Sequence, residues 1–459
     1  MTENNEKNNH IDENKNDNLS NNKKNIFIKI FDWHKRTFLH PTTKLLIYVI
    51  SIFILFIIIF NYHKKPYFEK KQDMLNPRAY SQAIAIDDEN IFISGGINSK
   101  KNEEIGLKSA EIYNIKNNLK SIVYTMNLPH AYHSLFKMKN GNIIIADING
   151  IEIFDVKTKR FKLLKTIPQK RYLESNSYKF AFLEDSKLIV IGGRIKSNGK
   201  KTLRGLSFVN TIEIIDIMLD KPIKKLPFEG SSFGVINLSD NELLIVGGKS
   251  SYQDKDILLK DIYILNTKNY KLQRWLELDT PISNPFVFEN ANNIILIGGE
   301  IFDKYEKIGN YKYLYTKVSD KIIFINKTNK NIIKKDIKKI LDWKMDNAIL
   351  NVTKINDNLY IIQLKLGFLH NFKMIDINNL REIKIKNKYE LFGDIVYRSA
   401  NVVCNGCFWV FGGKERFIEP TLESIYDIQK PYAPEENRYS VSGFVLQDVM
   451  KLNFKEGDN

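Results

Sequence analysis

Between Asn241 and Pro281 the chain reads NELLIVGGKSSYQDKDILLKDIYILNTKNYKLQRWLELDTP. An apolar run, Leu243 to Val246, ends in Gly247-Gly248; a polar loop follows, then a second apolar run at Ile262 to Leu265, a polar turn, and an aromatic at Trp275. Short apolar runs bounded by glycine and polar turn residues predict strand, glycine turn, strand, hairpin and strand. The unit repeats. An apolar run closed by two glycines recurs at Gly95-Gly96, Gly192-Gly193, Gly247-Gly248, Gly298-Gly299 and Gly412-Gly413. Gly193 to Gly248 is 55 residues and Gly248 to Gly299 is 51, whereas Gly96 to Gly193 is 97 and Gly299 to Gly413 is 114. A period of about 50 residues marks a propeller array, so each long gap is expected to hold one unit that has lost its glycines.

The first hidden unit starts at Ala131, with Ala146-Asp147 where the glycines would stand and Asn140-Gly141 as a two-residue hairpin turn. The second runs from Asn347 to Ile385. The last unit begins RSANVVCNGCFWVFGG, passes through a long loop holding Pro420, Pro431 and Pro434, and returns at Gln447 to Phe454, a third strand by comparison with LKDIYILNT of the Asn241 unit. No residues remain after Asn459 for a fourth strand. The missing strand is found at the other end of the repeat region. FEKKQDMLNPRAYS matches KSIVYTMNLPHAYH at an offset of 52, pairing Met74 with Met126, Pro77 with Pro129, Ala79 with Ala131 and Tyr80 with Tyr132. Tyr67 to Leu75 are therefore expected to close the last blade, because a ring left open exposes an unpaired sheet edge. Seven blades follow, with six as the alternative if the Asn347 unit is irregular.

With its glycine pairs in register, Tyr263 downstream of one and Trp275 beyond it, the chain over residues 66–459 resembles the kelch-repeat β-propellers. The resemblance implies an all-β, seven-bladed propeller closed by an N-terminal strand. Function is not set by that fold.

The segment Leu45 to Tyr62 holds eighteen residues without a charge, between Lys44 and Lys64-Lys65, and is expected to be one transmembrane helix. A cleaved signal peptide is the rival reading; more than forty residues precede the apolar run and no small-x-small site follows it. Residues 1–40 read as an N-terminal segment, disordered over 1–24 and mixed aromatic-basic beyond. Flanking positive charges balance: Lys35, Arg36 and Lys44 before the span, Lys64, Lys65, Lys70 and Lys71 after it. The expectation is a single-pass protein with its propeller on the non-cytoplasmic side, as is usual for one early span before a long soluble domain. A few residues between span and closing strand make a tether on the order of 15 Å.

The net charge of +16 and isoelectric point of about 9.3 come from lysines scattered through polar loops. No nucleic-acid module is recognisable, and none is expected as a partner. The lead-ins to first strands carry Arg78, His130, Arg171 and Arg398, on the face that also bears the loops between second and third strands. In kelch proteins that face commonly holds the ligand site, so the resemblance implies that these four are ligand contacts; the alternative is rim charges bonded to backbone carbonyls. The long loop of unit five, with Tyr305, Tyr311, Tyr313 and Tyr315, is a partner-anchoring candidate or a cover for its own blade.

Enzymatic chemistry is sparse. Copper radical oxidases of this architecture need histidine and tyrosine ligands, and the propeller holds only His130, His133 and His370; the first two read as surface residues. A sugar mutarotase of the kelch type needs a carboxylate and an arginine, for which Glu300 and Arg194 directly follow glycine pairs. Cys404-Asn405-Gly406-Cys407 gives two thiols facing across a two-residue turn, within reach of a disulfide if the compartment is oxidising. No metal and no cofactor is expected. The reading is a membrane-anchored module that binds an unidentified protein or glycan. The alternative is a carbohydrate-active propeller enzyme, mutarotase-like or galactose-oxidase-like without its copper ligands.

Overall fold

A computed structural model describes residues 45–55, 67–100, 103–116, 122–169, 171, 177–196, 206–252, 255–308, 311–338, 348–366, 369–383, 399–414 and 445–453. The chain divides into Met1–Lys65 and Pro66–Asn459. In the first unit residues 45–55 are helical, with Leu45, Leu46 and Phe53 exposed. Among the described residues no helix is long and apolar enough to cross a membrane; residues 56–62 of the expected span lie outside them.

The second unit is a seven-bladed propeller, each blade built on four antiparallel strands, with the short strand Arg194–Lys196 added to the sheet of blade three. Blade one is built from Gln82–Ala85, Asn90–Ser94, Ser109–Asn114 and Ile122–Thr125. Blade four, the Asn241 unit, is Gly234–Ser239, Glu242–Val246, Asp261–Asn266 and Lys271–Glu277. The Asn347 unit is a complete blade six, Ala348–Lys354, Leu359–Leu366, Leu369–Asp376 and Arg381–Ile383, which settles the count at seven.

Blade seven takes three strands from the C-terminal end, Ala400–Cys404, Cys407–Lys414 and Val445–Asn453, and its fourth from Tyr67–Lys71. The closing register runs from Tyr67 opposite Asn453 to Lys71 opposite Val449. The strand is shorter than the expected Tyr67 to Leu75. Beyond Lys71 the chain already belongs to blade one: the Tyr113 hydroxyl donates to the Gln72 carbonyl at 2.8 Å, and Met74 is buried in the seam between blades seven and one.

Seven buried apolar clusters occupy the seven seams. The second strand of each blade explains them. Side chains alternate across a strand, so Ile143 and Ile145 of blade two face blade one while Ile144 and Ala146 face blade three. Both faces are covered, which is why these strands are apolar without interruption. The seams are mostly isoleucine, leucine and valine, with Trp409 fully buried among them.

The glycine pairs stitch the blades. Gly247 and Gly248 have φ of +58° and +111°, and a Cβ on Gly247 would lie 2.0 Å from the carbonyl oxygen of Ile282 in the next blade. That carbonyl accepts the Gly248 amide at 2.8 Å. The same bond runs from Gly96 to the His130 carbonyl at 2.7 Å, and from Gly413 to the Arg78 carbonyl at 2.9 Å across the closing seam.

Candidate functional site

Antiparallel four-stranded blades place the lead-ins to first strands and the loops between second and third strands on one face. Among the described residues that face carries the glycine pairs and four hairpins. Ile97–Lys100 pairs with Glu103–Gly106 in blade one, Arg194–Lys196 with the start of Leu206–Asp216 in blade three, Lys249–Ser251 with Asp256–Leu258 in blade four, and Glu300–Ile308 with Tyr311–Val318 in blade five.

Three of the four lead-in residues singled out in the sequence lie inside their blades, each closed on a carboxylate of its own third strand. Arg78 is fully buried: Nη1 donates to the carbonyls of Gly95 at 2.7 Å and Ser109 at 3.0 Å, and Nη2 to Glu111 at 2.6 Å. Glu111 in turn accepts the backbone amides of Leu75 and Asn76, both at 3.0 Å. Arg171 repeats the arrangement, with Nε donating to the Gly192 carbonyl at 2.8 Å and Nη1 lying 2.9 Å from Glu213. In blade two a histidine takes the arginine's place. His130 Nε2 is 3.2 Å from Glu152 Oε1 and Nδ1 is 2.9 Å from Asp147 Oδ2, the latter off the hydrogen-bond axis, with all three side chains fully buried.

The electrostatics follow from that enclosure. Burial works against charging His130, but the close ion pair with Asp147, the hydrogen bond to Glu152 and the negative charges of both outweigh it and raise the imidazole to about 9. Glu152, opposed by burial, is held below its ordinary value by His130 and by the amides of Asn127 and Leu128. His133 goes the other way. It is buried, its Nε2 meets Ser94 Oγ at 2.8 Å, and burial followed by the charges of His130 and Arg78 keeps it neutral. Both histidines are therefore interior groups and not the surface residues the sequence suggested.

Asp147 corrects the sequence alignment of blade two. Gln82 is opposite Ser94 and Ser134 opposite Ala146, so the offset of 52 carries Ser94 onto Ala146 and Gly95 onto Asp147. The aspartate fills the first glycine's place, accepts the Asn149 and Gly150 amides at 2.7 and 3.2 Å, and turns the chain straight into Ile151–Asp155 without a hairpin.

Blades four and five lack the polar pair. Gly230 and Ile282 occupy the arginine position, and Tyr263 and Ile323 stand where the carboxylates would be, opposite Ile245 and Leu296. In blade four Phe233 fills the space so closely that a Cβ at Gly230 or Gly248 would overlap its ring, at 2.6 and 2.5 Å, and in blade five the Ile282 side chain lies 2.9 Å from a Cβ at Gly299. The polar groups move outward instead. Glu300 accepts Lys249 Nζ at 2.5 Å and Thr316 Oγ1 at 2.9 Å, with Asn284 Nδ2 at 3.4 Å. Although burial opposes its ionisation, Lys249 and these donors hold it below the usual carboxylate range. Arg194 stacks 4.4 Å over Phe208 and lies 3.9 Å from Asp256, so the structure does not bring it and Glu300 into one cluster.

Near the centre of the ring, Tyr80 and Tyr132 keep φ of 57° and 56° with ring centroids 4.3 Å apart, and the Tyr132 amide donates to the Tyr80 carbonyl. Ser232 and Asn284 make the same backbone link farther round. In the blade-five hairpin Tyr305 packs on Phe302, with Lys255 Nζ 4.5 Å over its ring, and Tyr313 meets Tyr315 edge-on at 5.2 Å. Arg398 and the side chains of Tyr311 and His370 lie outside the described residues. Cys404 and Cys407 stand directly opposite one another as thiols.

Sequence reasoning missed the carboxylates. Glu111-Ile112-Tyr113, Glu152-Ile153-Phe154 and Glu213-Ile214-Ile215 each put one acid into an otherwise apolar third strand, and a charge there signals a buried partner.

No known protein family matches the chain, and no curated protein matches it. Among solved structures it is similar to that of YjhT, with a TM-score of 0.43 and 11% identity over 75% of this chain and 93% of that one.

Proposed function

We propose that the chain is a kelch-type propeller, tethered to a membrane by Leu45 to Tyr62, which serves as a docking module for a protein or glycan through its hairpin-bearing face. The observation that carries this reading is the coupling of the blade-four and blade-five hairpins. Lys255 bridges to Lys312, Lys249 pairs with Glu300, and Lys255 lies over Tyr305. Two excursions thereby become one wall, with Phe302 and Tyr252 exposed on it; exposed aromatics on a fixed support are what anchors a partner. Arg78, His130 and Arg171 take part as the groups that hold the lead-in loops from within. Arg398 belongs to the same face by its place in the chain. The propeller lies on the non-cytoplasmic side, supported by one early apolar segment ahead of a long soluble domain.

The test compares glycan arrays and quantitative affinity capture for the wild-type chain, a Phe302→Ser plus Tyr305→Ala variant, and a Met218→Ser plus Leu219→Ser control in the turn on the opposite face. The proposal expects a ligand set that falls at least tenfold with the hairpin variant alone. Equal loss in the control, or no loss in either, overturns it. Protease digestion of sealed cells carrying a C-terminal tag tests the side: a protected tag contradicts the orientation.

A further inference from the structure

The turn Asn405-Gly406, with φ of 48° and 64°, has the backbone of a type I′ hairpin and sets Cys404 directly opposite Cys407. It joins a first strand to a second, and so lies on the face away from the hairpins. Cys407 is also opposite Asn453, which is opposite Tyr67. The cysteine pair therefore sits on the sheet row where the closing strand starts. A crevice of about 230 Å³ opens there, lined by Glu89, Lys116, Trp409, Lys451 and both cysteines. Cys404 is buried in the seam between blades seven and one, its Sγ 3.4 Å from the Asp87 carbonyl of blade one; Cys407 is partly exposed.

We propose that Cys404 and Cys407 form a reversible dithiol–disulfide site, oxidised by thiol–disulfide exchange with a small-molecule disulfide such as oxidised glutathione. Cys407, the accessible thiol, attacks as thiolate; the glutathione S–S bond breaks, one glutathione thiolate leaves and a mixed disulfide remains on Cys407. Cys404 then gives up its proton and attacks Cys407 Sγ, expelling the second glutathione thiolate. One S–S bond forms and one breaks, and the two glutathione thiolates take up the two protons lost by the cysteines.

Geometry makes the bond reversible. Directly opposed residues of an antiparallel pair have Cβ atoms about 5 Å apart, whereas a disulfide needs about 3.8 Å. The hairpin has to tighten, and a strained disulfide is easily reduced. Oxidation also takes Cys404 Sγ off the Asp87 carbonyl, so the state of the pair is felt at the seam that closes the ring. Burial, with Asp87 and Asp88 adding to it, pushes the Cys404 thiol up to about 11, which makes the second step slow near neutrality and faster as pH rises.

The reduced full-length chain is equilibrated with glutathione mixtures of increasing oxidised fraction, quenched with an alkylating agent and weighed. Trp409, whose Nε1 donates to the Cys404 carbonyl at 3.3 Å, serves as a fluorescent reporter. The expected product has lost two hydrogens, takes up no alkyl group, shows altered Trp409 emission and returns to the dithiol in excess reduced glutathione. Cys404→Ser stops at a glutathione adduct on Cys407, and Cys407→Ser forms no adduct within the same time. A wild-type chain that retains the adduct on Cys407, or keeps both cysteines alkylatable at every ratio, overturns the proposal.

Discussion

The carbonyl of Arg78 accepts the amide of Gly413 at 2.9 Å, so the first blade and the last are stitched by the bond that joins their neighbours. The side chain of Arg78 meanwhile closes on Glu111, which holds the amides of Leu75 and Asn76 just after the closing strand. One residue thus ties the lead-in, its own blade and the preceding blade together.

Breaking that clasp from one side leaves a buried charge without its partner. Arg78→Met or Glu111→Gln is expected to cost about 3–5 kcal/mol in urea unfolding of the purified chain, and the double variant Arg78→Met plus Glu111→Leu less than the two single costs summed. Additive losses would show that the two side chains do not act as a pair.

The two histidines of the blade one–two seam give opposite pH dependences. His130 is raised to about 9 in the folded chain from 6.5, so its contribution is complete below pH 6.5 and fades as pH climbs through about 9. His133 is held well below 6.5; the unfolded chain then gains more from protonation, and stability falls as pH drops below 6.5. Thermal unfolding across this range is expected to lose its alkaline slope in His130→Gln and to have a shallower acid slope in His133→Gln. An unchanged profile in either variant contradicts the assignment for that histidine.

Glycine substitutions should separate stitching from turn strain. Gly247→Ala drives a methyl into the Ile282 carbonyl and adds left-handed strain, with an expected cost of about 3 kcal/mol or more. Gly141→Ala, φ +89° with nothing within 4 Å of the added carbon, carries the strain alone, about 1 kcal/mol. Chemical denaturation of both variants checks the ordering, and equal costs would refute the stitching role.

The propeller was legible because its punctuation is chemical. Gly-Gly is demanded by positive φ and by a neighbour's carbonyl in the Cβ position, and Asn405-Gly406 by a type I′ turn. The fourth strand of blade seven was visible because Met74, Pro77 and Tyr80 repeat the spacing of Met126, Pro129 and Tyr132. What stayed hidden depended on burial. Arg78, His130 and Arg171 look like rim charges until their third-strand carboxylates are placed beneath them, and Asp147 was set one position out because blade two lacks the hairpin that follows the other glycine pairs.

Closure by the N-terminal strand is tested most directly by amide hydrogen exchange over Val449–Asn453, the residues that pair with Tyr67–Lys71 on one side and with Cys407–Lys414 on the other. In the full chain this segment is expected to exchange slowly, paired on both sides, and to lose that protection when residues 66–71 are deleted. Fast exchange in the full chain, or protection that survives the deletion, would contradict a ring closed by Tyr67–Lys71.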